Sequence, residues 1–404
     1  MERLTHPTTG LIHHPYSAPQ GFDAPMPGVF KASTVFFPTV AALRSREWKD
    51  KSAYTYGLHG TPTTFVLEER LSTLEGGLQC VLAPSGLAAL ALVALALLQS
   101  GDEVLLPDNA YSAYKPLFDC ELKHWGISYQ VYNPMDIADM QARISARTRL
   151  VWIEAAGSVT LEFPDIRALV RTCKAHGVLV ALDNTWGAGL AFNPFDLQPG
   201  MEPLGVDISA HALTKYPSGG GDVLMGSVIT RDPDLHMKIK LTHMRLGLNV
   251  GANDAEAVLR ALPSMPLRYQ AHDQSARALA LWCQSRPEFA QVLHPALPDS
   301  PGHAHWKSLC KTGLGAAAGL FSVVISPRYA QNQVDAFCEA LRLFRIGYSW
   351  GGPISLVVPY NLNSMRQTWP EHIARGTVVR FAIGLEAVED LRADLEQALN
   401  ALLQ

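Results

Sequence analysis

The residues best suited to chemistry in this chain are a lysine and an acid, each closing a strand-like run. Lys215 lies in Asp207-Ile208-Ser209-Ala210-His211-Ala212-Leu213-Thr214-Lys215-Tyr216-Pro217-Ser218-Gly219-Gly220-Gly221-Asp222, after a β-like stretch and a threonine and before a glycine cluster. Thirty-two positions earlier, Asp183 ends Val178-Leu179-Val180-Ala181-Leu182-Asp183-Asn184. A lysine amine can form a Schiff base with an aldehyde, and an acid can hold a proton on a ring nitrogen. That pair suits pyridoxal phosphate, whose protonated ring is an electron sink. Two isolated residues of these types also fit a structural lysine and an N-capping aspartate.

Further groups have matching chemistry. Pro84-Ser85-Gly86-Leu87-Ala88-Ala89 opens a long apolar helix. The N–H groups of Gly86 and Leu87, with the helix dipole, make an anion site that fits a phosphate, and the Ser85 hydroxyl can donate to it. A plain serine N-cap uses the same residues. Tyr111, in Asp108-Asn109-Ala110-Tyr111-Ser112, follows a strand-like run and can stack on a flat heteroaromatic ring or simply pack. Arg380, in Val378-Val379-Arg380-Phe381-Ala382-Ile383-Gly384-Leu385-Glu386, offers a planar fork for a carboxylate, or a partner for a structural acid such as Glu386. Nucleotide-binding glycine loops, a zinc-protease helix motif and a serine-hydrolase elbow do not occur.

The elements that must position these groups alternate from about 61 to 260. Strand candidates are Val104–Leu106, Ile127–Tyr132, Leu150–Ile153, Val178–Leu182, Asp207–Ala210 and Val223–Thr230. Ile166, Leu169, Val170 and Cys173 have helical spacing, with Pro164 before them and Gly177 as a stop, which predicts a helix over 165–177. Strands separated by such helices imply a mostly parallel α/β sheet covered on both faces, with ligands beyond the carboxyl ends of its strands. Residues 1–60, rich in Pro, Gly, Thr and His, read as an extended arm. From 261 prolines cluster, followed by a strand-like Gly319–Ile325 and helices over 330–344 and 387–403, a smaller α+β domain to 404.

Composition narrows the function classes. A formal net charge of −4 favours neither nucleic acid nor an anionic membrane as partner. The six cysteines stand singly, without zinc-site spacing, and no metal is expected. The longest apolar run, Gly86–Leu98, has 13 residues, too few for a membrane span. With an N-terminus lacking an apolar signal core, the expectation is a soluble cytoplasmic protein.

Tyr56 with Gly60-Thr61, Ser85-Gly86-Leu87, Tyr111, Asp183, Thr214-Lys215-Tyr216, Ser349-x-Gly351-Gly352 and Arg380-x-x-x-Gly384-Leu385-Glu386 occur in one order along the chain. From about residue 30 onward this set resembles the Cys/Met-metabolism family of pyridoxal-phosphate enzymes. The resemblance implies the aminotransferase-like fold called type I. It makes Lys215 the Schiff-base lysine and proton shuttle, and Asp183 the partner of the ring nitrogen. It gives Tyr111 to the cofactor's face and Ser85, Gly86, Leu87 and Thr214 to its phosphate. Arg380, Ser349 and the Trp350 backbone would take the α-carboxylate of an amino-acid substrate. Tyr56 would reach a neighbouring subunit's site, implying a homodimer or homotetramer with shared active sites. Tyr348-Ser349-Trp350-Gly351-Gly352 is most similar to the branch that splits cystathionine at its Cβ–S bond; the alternatives are broader cystine or cysteine-conjugate lyases and a methionine γ-lyase type.

Two positions depart from the family pattern. Many relatives have an arginine two residues after the tyrosine, where this chain has Leu58, followed by His59. The common Gly-Gly-x-Glu-Ser pattern reads Gly352-Pro353-Ile354-Ser355.

Overall fold

The computed structural model describes residues 7–13, 21, 24–45, 51, 53–310 and 316–402. Much of the expected N-terminal arm, and Leu403 of the expected last helix, lie outside the described residues.

Seven strands form the larger sheet: β1 (Gln79–Ala83), β2 (Glu103–Pro107), β3 (Ser128–Tyr132), β4 (Thr148–Glu154), β5 (Leu179–Asp183), β6 (Ile208–Ala212) and β7 (Gly226–Thr230), in the order β1-β7-β6-β5-β4-β2-β3. The strands from β6 to β3 pair in parallel. β7 runs antiparallel to both of its neighbours, so β1 points the same way as β6. Six carboxyl ends therefore face one edge, and the loops carrying Ser85, Tyr111, Asp183 and Lys215 all leave from it.

Strand residues alternate between two cores. Leu150 and Trp152 of β4 pack with Ala181, Ile208 and the apolar helix Gly86–Leu97 on one face. Val151 and Ile153 pack with Val180, Leu182 and the helix Ile166–Ala175 on the other. A strand buried on both sides cannot alternate polar with apolar, which is why these segments read as short continuous apolar runs. The helix Ile166–Ala175 begins at Asp165, whose side chain accepts from the Ala168 N–H at 3.0 Å. Such a cap contributes about 1 kcal/mol.

A second, smaller sheet comprises β8 (Phe289–Leu293), β9 (Leu320–Ile325), β10 (Arg345–Ile346), β11 (Leu356–Tyr360) and β12 (Thr377–Ala382), in the order β10-β11-β12-β9-β8. All its pairs but β10–β11 are antiparallel. Phe321, Phe381, Phe337 and Phe344 build its core with the helices Met265–Gln284, Gln331–Ala340 and Val388–Ala398. The helix Met265–Gln284 occupies part of what reads in sequence as a proline-rich break. Pro266 sits in its first turn, where the missing N–H has no intrahelical partner to lose. The last helix ends at Ala398 and tightens into a 3-10 turn over Leu399–Leu402. Among the described residues no helix is long and apolar enough to cross a membrane.

Candidate active site

A cavity of about 570 Å³ opens at the carboxyl edge of the larger sheet. Ser85, Gly86, Leu87, Tyr111, Asp183, Thr214 and Lys215 line it from that sheet's loops. Tyr348, Ser349, Trp350 and Arg380 line it from the smaller domain. Residues separated by nearly three hundred positions thus share one space. Tyr56 does not line this cavity; it is 46% exposed and forms an isolated bridge with Thr34. Leu58 and His59 line a separate small cavity with Lys51 and Lys240. The His59 Nδ1 lies 2.8 Å from the Thr55 hydroxyl.

Lys215 follows β6, and its Nζ donates to the Ser349 Oγ at 2.8 Å, 5.6 Å from the Trp350 ring centre. Burial, with help from the nearby Arg380 charge, lowers its pKa to about 8; Asp183 pulls the other way. An amine so placed spends part of its time neutral near pH 7, as a base must. Gly219 and Gly221 take positive φ, +67° and +73°, and turn the chain sharply beyond it. Gly351, at φ +78°, brings the 349–352 loop onto Lys215 itself; a Cβ there would stand 2.9 Å from the Tyr216 nitrogen.

Asp183 ends β5, and its Oδ1 accepts from the Thr185 N–H at 3.0 Å. Burial raises its pKa; bonds from Thr185 and the charges of His211 and Lys215 oppose the rise. Its register partner on β4 is Glu154, whose Oε2 accepts from the Tyr111 N–H at 2.7 Å. Burial, then the charge of Asp183, raises Glu154 well above the usual carboxylate range. Glu154 therefore fixes the Tyr111 loop, and sequence reasoning missed it. The signal existed, since Glu154 closes an apolar run just as Asp183 does.

Ser85 caps the helix Gly86–Leu97, its Oγ accepting from the Ala88 N–H at 3.0 Å. This is the plain N-cap geometry; the hydroxyl proton stays available for an anion. Gly86 packs so closely on β6 that a Cβ would come within 2.6 Å of the Ala212 Cβ. The Thr214 Oγ accepts from the Met225 N–H at 3.1 Å and lies 3.3 Å from the Met225 carbonyl.

Arg380 sits within β12, only 7% exposed. Glu386 is not its partner: Glu386 accepts from the Ser355 N–H and hydroxyl, both at 2.8 Å. The Arg380 Nε is buried without a hydrogen-bond partner among the described residues, and its guanidinium lies 5.3 Å from the Tyr360 ring centre. Burial depresses its pKa. A buried guanidinium without a carboxylate is a ready receptor for one.

These residues fit pyridoxal phosphate. The Gly86 cradle admits backbone but no Cβ, the Ser85 and Thr214 hydroxyls adjoin it, and Asp183, Lys215 and Tyr111 suit the ring nitrogen, aldehyde and ring face. Arg380, whose Nε has no partner among the described residues, leaves a carboxylate position beside them.

The family model "Cys/Met metabolism PLP-dependent enzyme" matches residues 8–400. A cystathionine β-lyase of Bordetella avium is 38% identical over 401 residues, 96% of either chain. An L-alanine/L-glutamate racemase of Wolbachia pipientis is 32% identical over 93% of this chain and 92% of its own. The structure of a cystathionine γ-lyase from Lactobacillus plantarum, complexed with L-serine, matches at TM-score 0.86 and 26% identity over 98% of each chain. The chain belongs to the Cys/Met metabolism PLP-dependent enzyme family.

Proposed function

We propose that the protein splits the Cβ–S bond of L-cystathionine, consuming water and releasing homocysteine, pyruvate and ammonia. The observation that carries this reading is the Tyr348-Ser349-Trp350-Gly351-Gly352 loop, the segment most like the β-lyase branch, seated between Lys215 and Arg380 in one cavity. Relatives named cystathionine β-lyase along nearly the whole chain support it.

Pyridoxal 5′-phosphate, when bound, supplies an electron-withdrawing ring that acidifies the substrate Cα–H and lets the Cβ–S electron pair leave with sulfur. The chain's residues do the rest. Arg380, with Ser349 and the Trp350 backbone, binds the substrate α-carboxylate and turns the Cα–H towards Lys215. Neutral Lys215 Nζ takes the Cα proton and, once protonated, can return a proton to the departing sulfur. Asp183 would hold a proton at the ring nitrogen, and the resulting cation would offset the burial that disfavours the carboxylate's charge. Tyr111 would cover the ring face, and Ser85, Gly86, Leu87 and Thr214 would hold the phosphate. Tyr348, 79% exposed, stands at the cavity mouth. Tyr56 serves a neighbouring copy's site, which makes the working unit a homodimer or homotetramer, and residues 1–60, 61–260 and 261–404 act as arm, cofactor domain and smaller domain.

The test is product analysis with purified holoenzyme and L-cystathionine. Free thiol and pyruvate rising together support the proposal. Cysteine with 2-oxobutyrate would move cleavage to the γ side. Turnover of cystine or S-alkyl cysteines with none of cystathionine would point to a broader lyase.

A further inference from the structure

The loop that follows β4 enters the cavity in a conformation that its residues disfavour. Val159 and Leu161 take positive φ, +82° and +55°, a region that side chains with a Cβ rarely adopt and that β-branched valine resists most. Residues held this way persist only where their surroundings fix them from several sides, and such places cluster at functional sites. Here the fixing group is Glu162, 1% exposed at the end of the loop, which the reaction above does not use. Its Oε1 accepts from the Arg366 Nη2 at 2.9 Å and from the His372 Nε2 at 3.0 Å. Its Oε2 accepts from the Arg366 Nη2 at 2.8 Å, from the Thr160 hydroxyl at 2.5 Å and from the Asn109 Nδ2 at 3.3 Å. Burial alone would raise its pKa, but the Arg366 charge and the bonds from His372 and Thr160 hold the carboxyl below its usual range.

The clamp joins separate stretches of chain and ends on Tyr111. Arg366 and His372 come from the segment after β11, Thr160 and Glu162 from the loop after β4, and Asn109 from the turn after β2. The same loop bonds that turn again through Ser158, whose N–H donates to the Asn109 carbonyl at 2.9 Å. The Ser158 hydroxyl bonds Glu154, and the Glu154 Oε2 accepts from the Tyr111 N–H at 2.7 Å. Gly157 leaves room for Asn109, since a Cβ there would stand 2.1 Å from the Asn109 Nδ2. Asp108 is tied from the side of the 365–366 segment. The Lys115 Nζ donates to its Oδ1 at 3.1 Å and to the Met365 carbonyl at 2.9 Å, and the Arg366 Nη1 stands 4.0 Å from its Oδ2. Asp108, Asn109 and the Tyr111 main chain are thus all held, while Tyr111 itself is 44% exposed and lines the cavity. A turn bonded this densely, with one aromatic ring left at the cavity, is a mount for that ring.

We propose that the Glu162–Arg366 clamp positions Tyr111 on the face of the cofactor ring. Glu162 holds the strained loop, the loop holds Asn109 and Glu154, and these hold the Tyr111 main chain. A ring that stacks must stay at van der Waals distance over its partner, so a shift of the turn weakens the contact. Glu162, Arg366 and His372 do not line the main cavity; they are positioning residues that act through the Tyr111 turn. The proposal rests on the placement of Tyr111 at the cofactor in the reading above, and is independent of which bond to sulfur is broken.

The experiment is a double-mutant cycle on the full chain. Glu162→Gln keeps the side chain's length but loses its charge and turns an NH2 group towards donors. It is made in the wild type and in Tyr111→Ala. Two quantities are read: the dissociation constant for pyridoxal 5′-phosphate, and the visible circular dichroism of the bound cofactor, which reports the asymmetry of the ring's surroundings. Tyr111→Ala alone should weaken cofactor binding about tenfold. In the wild type, Glu162→Gln should weaken binding about three- to tenfold and reduce the dichroic band. In Tyr111→Ala it should change neither, because the ring it places is gone. Equal losses in both backgrounds, or no loss in the wild type, overturn the clamp while leaving Tyr111 at the cofactor. Normal cofactor binding and dichroism in Tyr111→Ala would instead overturn the placement of Tyr111, and the clamp with it. Should Glu162→Gln fail to fold, His372→Ala, which removes one partly exposed donor to Glu162, takes its place in the same cycle. A loss of about twofold confined to the chain that keeps Tyr111 then supports the clamp, and any other pattern overturns it.

Discussion

The two sheets contribute to the site by different means. The larger one gives up residues that lie beyond strand ends: Ser85 after β1, Tyr111 after β2, and Lys215 after β6, with Asp183 as the final residue of β5. The smaller one gives Arg380 from within a strand, its main chain paired on both sides to Val358 and Ser322. Loop residues can be re-aimed by their turns, whereas a mid-strand residue points where the register sends it. The proposed base thus sits on the adjustable side and the proposed carboxylate receptor on the rigid side.

The largest effect should come from the adjustable side. Lys215→Ala removes the proposed base and should lower turnover of cystathionine by about 10³-fold or more, with circular dichroism unchanged. A loss under tenfold would take the proton-transfer role away from the loop after β6.

The rigid side comes next. Arg380→Ala should reduce kcat/KM by about 10²- to 10³-fold, the scale of losing one member of a buried charge pair. Arg380→Lys should recover only part of it, because an ammonium offers a point charge where the guanidinium offers a fork. Full rescue by lysine would mean that strand register does not set the carboxylate's orientation.

Gly86→Ala probes the contact between the start of the helix Gly86–Leu97 and the end of β6. The new methyl would meet the Ala212 Cβ at 2.6 Å, both in a helix start and a strand end. Overpacking of this kind costs about 1–3 kcal/mol, read as weaker pyridoxal 5′-phosphate binding and a lower melting temperature. Wild-type affinity would remove the phosphate from this cradle.

The Lys215 pKa gives a fourth outcome. The neutral fraction of Lys215 falls as pH drops below about 8, so kcat should lose about tenfold per pH unit on the acid side. In the apoprotein the same shift has a stability sign. Between about 8 and the ordinary 10.5 the unfolded chain binds more protons at this lysine than the native chain. Its contribution to stability therefore rises with pH across that window. Lys215→Ala should flatten this rise in urea titrations of the apoprotein.

Legibility in the sequence follows the same division. Strands buried on both faces leave apolar runs, and the turns after them carry Gly, Pro and Asp, so the parallel sheet and its edge residues could be read directly. Glu154 could have been found by the rule that picked out Asp183. His211 stood in the quoted run around Lys215 but was silent, because a lone histidine in a strand looks like a core residue until its bond to the buried Glu75 is seen. The smaller domain hid more. The proline cluster masked the helix Met265–Gln284, and no local pattern says which residue of β11 lies beside Arg380.

That neighbour is Tyr360, and it gives the smallest effect and the sharpest test of the rigid side. Val358 is the direct partner of Arg380 and Tyr360 the partner of Val378, so Tyr360 is the diagonal neighbour of Arg380. Diagonal positions on one sheet face lie within reach of aromatic and long side chains. The guanidinium, which no acid pairs among the described residues, rests 5.3 Å from the tyrosine ring centre. A cation over an aromatic face gains about 0.5–2 kcal/mol when desolvated, enough to hold the arginine in place until a carboxylate arrives. Tyr360→Phe keeps the face and should leave KM for cystathionine within about twofold of wild type. Tyr360→Leu removes it and should raise KM by about three- to tenfold with kcat nearly unchanged, because only the placement of Arg380 is lost. Equal behaviour of the two variants would mean that pairing with β9 and β11 alone aims the arginine. A fall in kcat in the phenylalanine variant would instead place the Tyr360 hydroxyl on the substrate.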